Sequence, residues 1–203
     1  MNSIKVNNKS VIPSKVVCIG RNYVDHIKEL NNETPSQPVI FMKPNSAITN
    51  EISYNEVDEI HYEGEICFTI KNGQIDTVGF GLDLTKREVQ SKLKAKGLPW
   101  ERAKAFDGSA VLSDFVKIDG TIEELYLELY INDTLTQKGG VELMLYKPDE
   151  IIKEISSFCT LEDGDVIMTG TPKGVGKIPE GAIFKGKIFN KEKLLVDVKW
   201  LAN

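Results

Sequence analysis

Glu63 and Glu65 stand two positions apart in Ile60-His-Tyr-Glu63-Gly-Glu65-Ile-Cys-Phe. Alternate residues of a strand project from one face, so both carboxylates point the same way. Two such groups repel unless something positive lies between them, and a hard divalent cation with oxygen ligands meets that need. A solvent-exposed strand face carrying two glutamates explains the spacing equally well. Asp83, in Gly79-Phe-Gly-Leu-Asp83-Leu-Thr85, tips the balance. It ends a run that can pair beside the Glu63–Glu65 strand, just ahead of a helix start. Three carboxylates with positions left for water or substrate describe a Mg²⁺ or Mn²⁺ site, whereas zinc would recruit His or Cys.

Imidazole chemistry has two routes only, through His26 or His61. His26 and Glu29 are three apart on an expected short helix, where their side chains can meet. A carboxylate there fixes the imidazole tautomer and raises its basicity, as a general base requires. An exposed surface pair is the alternative. His61 lies two before Glu63, on the same face, and is expected only to support the metal site.

Charge is divided along the chain. Residues 51–65 hold six acids (Glu51, Glu56, Asp58, Glu59, Glu63, Glu65) and no Lys or Arg. Residues 84–104 hold seven bases (Lys86, Arg87, Lys92, Lys94, Lys96, Arg102, Lys104) against Glu88 and Glu101. Most of those lysines read as a solvated helix face. Arg87 and Gln90 are one turn apart, and with Lys104 they can hold an anionic ligand beside the metal.

The elements that must position these groups are short. Residues 15–19 and 39–43 read as buried strands flanking a helix over Tyr23–Leu30, which ends before the Asn-Asn-Glu-Thr-Pro loop. Residues 65–70 and 74–84 flank Asn72-Gly73, a strong hairpin signal. Thr85-Lys-Arg-Glu88 fits a capping box, opening a helix that runs to Lys96 and stops at Gly97. Alternation over Leu125–Ile131 predicts a half-buried strand turning at Asn132-Asp133. Pro148 opens a helix with Ile151, Ile152, Ile155 and Phe158 on one face. Asp163-Gly164 leads into a strand at 166–169, and strands at 182–189 and 193–200 finish the chain. Strands outnumber helices without alternating strictly, so the class is α+β and β-rich.

The 203 residues favour one domain over 1–203, with 1–14 as a lead-in. Composition is that of a soluble globular protein, 41% hydrophobic and 27% charged. A net charge of −5 speaks against a nucleic-acid partner. No apolar run nears the roughly 18 residues of a membrane span. The opening segment lacks the apolar stretch of a signal peptide, so a cytoplasmic location is expected. Cys18 and Cys67 sit in apolar runs and read as buried thiols; with Cys159 they form no CxxC pair. GxSxG, HExxH and GxGxxG are all missing. Gly170-Thr-Pro-Lys-Gly174-Val-Gly176-Lys177 is glycine-rich, but Ile178 stands where a P-loop needs Ser or Thr.

Taken in order, six segments resemble the fumarylacetoacetate hydrolase family. They are Gly20-Arg-Asn-Tyr-Val-Asp-His26-Ile-Lys-Glu29, Phe41-Met-Lys43-Pro44, His61-Tyr-Glu63-Gly-Glu65, Asp83-Leu-Thr-Lys-Arg87-Glu-Val-Gln90, Trp100-Glu-Arg-Ala-Lys104-Ala-Phe-Asp and Gly164-Asp-Val-Ile-Met-Thr-Gly170-Thr171-Pro-Lys-Gly174-Val-Gly176. The branch resembled most is that of short acylpyruvases and oxaloacetate-handling members. The resemblance implies a roll of stacked mixed sheets, a Mg²⁺ or Mn²⁺ ion and a homodimer. By position, Glu63, Glu65 and Asp83 are implied as metal ligands, and His26 and Glu29 as a water-activating dyad on a segment that orders as a lid. Lys104, Gln90 and Thr171 are implied around the bound oxo-acid, with Arg21 and Lys43 as pocket residues. Lys86, Glu88 and the proline-free Gly108-Ser-Ala-Val-Leu-Ser depart from the pattern near the distal substrate pocket. The long N-terminal domain of the founding hydrolase is missing, so fumarylacetoacetate itself is not the expected substrate.

The expected reaction is hydrolysis of an acylpyruvate to pyruvate and a carboxylic acid through an enolate. The alternative at the same site is keto–enol tautomerisation or decarboxylation of oxaloacetate, or isomerisation or decarboxylation of an unsaturated oxo-diacid. A non-catalytic oxo-acid-binding protein is a third reading.

Overall fold

Strands Gly64–Lys71 and Gln74–Asp83 pair antiparallel and form the centre of the larger sheet. Asn72 and Gly73 join them at φ 51° and 72°, as a tight two-residue hairpin requires. In the computed structural model, which describes residues 1–30, 33–53 and 59–203, this sheet has eight strands. Asn31 and Asn32 of the expected loop, and Glu56 and Asp58 of the acidic stretch, lie outside the described residues. The order is Val39–Pro44, Lys15–Gly20, Val166–Met168, Gly64–Lys71, Gln74–Asp83, Ala110–Leu112 and Ile48–Thr49, with Val116–Lys117 also on Gln74–Asp83. Val166–Met168 runs parallel to Lys15–Gly20, and Ala110–Leu112 parallel to Ile48–Thr49, so the sheet is mixed.

A four-stranded antiparallel sheet packs against it, ordered Thr134–Gly140, Leu125–Ile131, Ile183–Asn190 and Lys193–Leu201. Period-two alternation sets what lies between them. Ile66, Phe68, Val78, Phe80 and Leu82 meet Leu125, Leu127, Leu129, Phe184 and Ile188 in one buried cluster. Each such side chain contributes roughly 1.5–3 kcal/mol when fully buried. The opposite face of the larger sheet buries Cys18, Cys67, Met168 and Phe115. Both expected buried thiols are therefore found. Residues Gly64 to Ile70 are all buried, which is why this segment reads as a near-continuous apolar run. The class is α+β, β-rich and built of stacked sheets, as expected.

Among the described residues four α-helices decorate the sheets: α1 (Val24–Glu29), α2 (Arg87–Ala95), α3 (Glu101–Lys104) and α4 (Pro148–Ser156). No helix of the described residues is long and apolar enough to cross a membrane. Two expectations fail in detail. Thr85 does not cap α2; it lies in the short strand Thr85–Lys86, and its hydroxyl accepts a hydrogen bond from Lys104 at 2.6 Å. A buried ammonium outcompetes the local cap, and α2 starts at Arg87 without a side-chain cap. Phe158 lies beyond the end of α4 and is 58% exposed, while Ile151 and Ile155 pack on Val17, Ile19 and Ile167.

Asp165 ties the start of the larger sheet together. Its carboxylate accepts hydrogen bonds from the Ser14 N–H (2.9 Å) and hydroxyl (2.7 Å), the Glu162 N–H (2.9 Å) and the Lys15 ammonium. Burial alone would raise this carboxyl, but Lys15, the Glu162 N–H and Ser14 outweigh it and hold it below the ordinary range. A carboxyl held lower in the folded chain adds stability above its unfolded pKa of about 4. That stability is lost as pH falls through the folded value. Asp165→Asn is expected to lose roughly 1–3 kcal/mol in urea unfolding near neutrality. The gap to wild type should close as pH drops below about 4.

Candidate functional site

Glu63 occupies a break in the chain between two strands. Before it, Ile60–Tyr62 pairs with Thr85–Lys86 and Gly176–Lys177; after it, Gly64 begins the central hairpin. Asp83 ends the partner strand, and its N–H donates to the Glu63 carbonyl at 2.9 Å. Glu65 pairs with Gly81, so its side chain rises beside that of Asp83. One carboxylate oxygen from each of Glu63, Glu65 and Asp83 lies within 4.8 Å of the others. The three residues are 6%, 1% and 1% exposed. A solvated strand face is ruled out.

Three basic side chains from three different elements face the acids. Lys104, at the end of α3, donates to Glu63 at 2.9 Å and to Asp83 at 2.6 Å. Arg87, at the start of α2, donates to the other Glu63 oxygen at 2.5 Å and to Gln90 Oε1 at 2.9 Å. Lys43 is wholly buried, with its Nζ 2.8 Å from Asp83 Oδ1 and donating to the Lys104 carbonyl. The resemblance implied a pocket residue; Lys43 does not line the small cavity beside the triad and is buried against Asp83.

These contacts divide the acids. Burial would raise Glu63, but Lys104, Arg87 and His26 outweigh it and hold its carboxyl well below the usual range. Burial would lower Lys104, but Asp83 and Glu63 overturn that and raise it above an ordinary lysine. Glu65 has no cation of its own. Burial, then Asp83 and Glu63, push it well up, and the Gly170 N–H at 2.7 Å offsets only part. Gly170 delivers that N–H from φ 98°, and a side chain there would strike the Ile19 carbonyl.

A small cavity of ≈ 30 Å³ opens beside the triad, lined by Arg21, His26, Glu63, Arg87, Gln90 and Lys104 among others. His26 is 5% exposed, and its Nδ1 lies 3.1 Å from Glu29 Oε2. The second Glu29 oxygen accepts the Gly174 N–H at 3.0 Å, tying α1 to the glycine-rich segment. The imidazole is thus turned into the site, while the Glu29 side chain that holds it is 33% exposed. Thr171 stands behind the wall, donating to the Gly64 carbonyl at 2.9 Å. His61 turns away to Glu59, 2.9 Å distant.

Sequence reasoning missed Gln137, Trp100 and Lys94. Gln137 reaches in from the smaller sheet, accepting the Gly64 N–H at 2.9 Å and donating to Thr171 and the Pro172 carbonyl at 2.8 Å. No local signal marks it. Trp100 and Lys94 line the cavity, and Lys94 sits 4.9 Å over the Trp100 ring. A lysine within a basic run ahead of a tryptophan was a signal available to be read.

The donor set fits a hard divalent cation. It is all oxygen and all carboxylate, and no His or Cys belongs to it. Asp83 Oδ1 is buried and accepts no hydrogen bond, since Lys43 lies outside hydrogen-bonding angles to it. Glu63, Glu65 and Asp83 would hold the ion, with Lys104 as the neighbouring charge.

Residues 15–196 match the family model for the C-terminal region of fumarylacetoacetate (FAA) hydrolase. The chain belongs to the fumarylacetoacetate hydrolase family. It is an enzyme of that family, with the carboxylate triad intact. It is 38% identical over 186 residues to an oxaloacetate tautomerase of Escherichia coli (strain K12), covering 83% of this chain and 85% of the relative. It is 39% identical over 189 residues to a mitochondrial oxaloacetate decarboxylase of Dictyostelium discoideum, covering 84% and 87%. Among solved structures it resembles the fumarylpyruvate hydrolase of Pseudomonas aeruginosa in complex with Mn²⁺ and pyruvate. That match has a TM-score of 0.89 at 26% identity, over 99% and 95% of the two chains.

Replacing one of three mutually repelling carboxylates separates stability from metal binding. Glu65→Gln is expected to melt at or above the wild-type temperature in chelator. Its Mg²⁺ or Mn²⁺ affinity should fall at least about tenfold, removing the metal-induced rise in melting temperature. Thermal melts with and without metal measure both.

Proposed function

We propose that this enzyme interconverts the keto and enol forms of oxaloacetate at a Mg²⁺ or Mn²⁺ site formed by Glu63, Glu65 and Asp83. One observation carries the reading: buried His26, held through Nδ1 by Glu29, lines a cavity together with buried Lys104 and Glu63 of the triad. The tautomerase and decarboxylase relatives support it more directly than they support acylpyruvate hydrolysis.

When bound, a divalent cation supplies Lewis-acid polarisation of the 2-oxo group and neutralises the carboxylate next to it. The protein's own groups do the rest. Lys104 lends a fixed positive charge where negative charge develops on the C2 oxygen. His26, oriented through Nδ1 by Glu29, moves the proton at C3. Gln90 and Arg87 orient the near carboxylate, with Thr171 shaping the wall behind them. Burial of these groups excludes water, which strengthens each charge interaction.

Hydrolysis of an acylpyruvate remains a second reading, supported by the likeness to the fumarylpyruvate hydrolase and by a dyad equally able to activate water. A homodimer and a cytoplasmic location complete the proposal, the first supported by the family resemblance and the second by composition.

Stopped-flow absorbance with the enol of oxaloacetate and Mg²⁺ tests it. Wild type should consume enol far faster than pyruvate forms, and His26→Ala should slow that step by about 10²–10⁴-fold. Stoichiometric pyruvate and acetate from acetylpyruvate, with the enol untouched, would favour the hydrolase reading instead.

A further inference from the structure

Lys104, Arg87 and Lys43 each face an acid of the triad. Two more cations, Arg21 and Lys94, line the cavity beside Lys104 and Arg87, and neither has a carboxylate partner among the described residues. Lys94, one turn beyond Gln90 on α2, is half-buried with its ammonium over Trp100. Burial, then Arg21, Arg87 and Lys104, lower it to about 8. Arg21 Nε is buried and makes no hydrogen bond. Its backbone is left-handed, at φ 57°, a conformation uncommon for a long side chain and of the kind that clusters at binding sites. Arg21 also lines a groove of ≈ 430 Å³ along residues 33–39, so it stands where the cavity meets the surface. Glu33, the acid of that groove, makes no ion pair with it. Two unpaired cations at the outer end of a site whose inner end is fully paired call for an anionic group on the ligand itself.

We propose that Arg21 and Lys94 clamp the second carboxylate of a four-carbon oxo-diacid, selecting diacids over monoacids and steering them away from CO₂ loss. The inference rests on the oxaloacetate reading and adds a reason for its outcome. Losing CO₂ breaks the C3–C4 bond, and its electron pair forms the C2–C3 double bond as the C2 carbonyl becomes an enolate. The negative charge thereby leaves C4, which departs as a neutral molecule. Cations fixed at C4 oppose that migration. Tautomerisation moves a proton between C3 and the C2 oxygen and leaves the C4 charge in place.

Isothermal titration of the Mg²⁺-loaded protein with (S)-malate and (S)-2-hydroxybutyrate isolates the clamp, because these ligands differ only in the distal carboxylate. Wild type should prefer malate by about ten- to a hundredfold. Lys94→Met and Arg21→Gln should each reduce that preference to about threefold or less, with Lys94→Arg restoring most of it. In both neutral variants the pyruvate formed per oxaloacetate enol consumed should rise. A wild type that binds the two ligands alike, or variants that keep the preference or the partition, would overturn the proposal. A wild type that prefers malate yet turns over no oxaloacetate leaves the clamp standing and removes the oxaloacetate reading.

Discussion

Three carboxylates buried within 4.8 Å of one another are the constraint that the rest of the molecule answers. Taking each charge out of water costs several kcal/mol even after relaxation. Repayment comes from Lys104, Arg87 and Lys43, which arrive from α3, α2 and strand Val39–Pro44. α2 follows the central hairpin closely in sequence, but α3 and strand Val39–Pro44 lie about twenty residues to either side of it. The pairing therefore forms only when the larger sheet is complete, and the apolar cluster between the sheets supplies the energy that holds it. Glu65, with backbone help but no cation, is left as the point of strain where a metal gains most.

The proton-moving group is mounted differently. A helix of six residues is too short to persist alone. α1 is held by the burial of Ile27 and by the Gly174 N–H on Glu29. His26 is thus placed by tertiary contacts and the triad by a rigid sheet. This division suits a site where one half must hold an ion and the other must admit a ligand.

How much of this the sequence disclosed depends on the range of each signal. Period-two spacing brought Glu63 and Glu65 together although Glu63 lies in the break between two strands, but across that break it failed for His61. Asn72-Gly73 set the hairpin and with it the place of Asp83. The capping box at Thr85 misled because it is a four-residue pattern, and Lys104 claims that hydroxyl from 19 positions away. Lys94 was lost in a basic run, since charge counting cannot tell which turn of α2 faces Trp100. Lys43 was implied only as a pocket residue, because a motif gives membership and not depth. Gln137 left no trace, being 73 residues from the Gly64 amide it binds.

That one glutamine joins the two sheets at the metal strand. Its oxygen holds the Gly64 N–H, next to both metal-site glutamates, while its nitrogen holds the Thr171–Pro172 segment. The Gly64 amide can therefore exchange its hydrogen with solvent only when the smaller sheet lifts from the larger. The site and the sheet behind it open as one cooperative unit, and neither frays alone. Change accumulated on the outer sheet, far from any ligand, is thereby felt as loosening of the metal's own ligands.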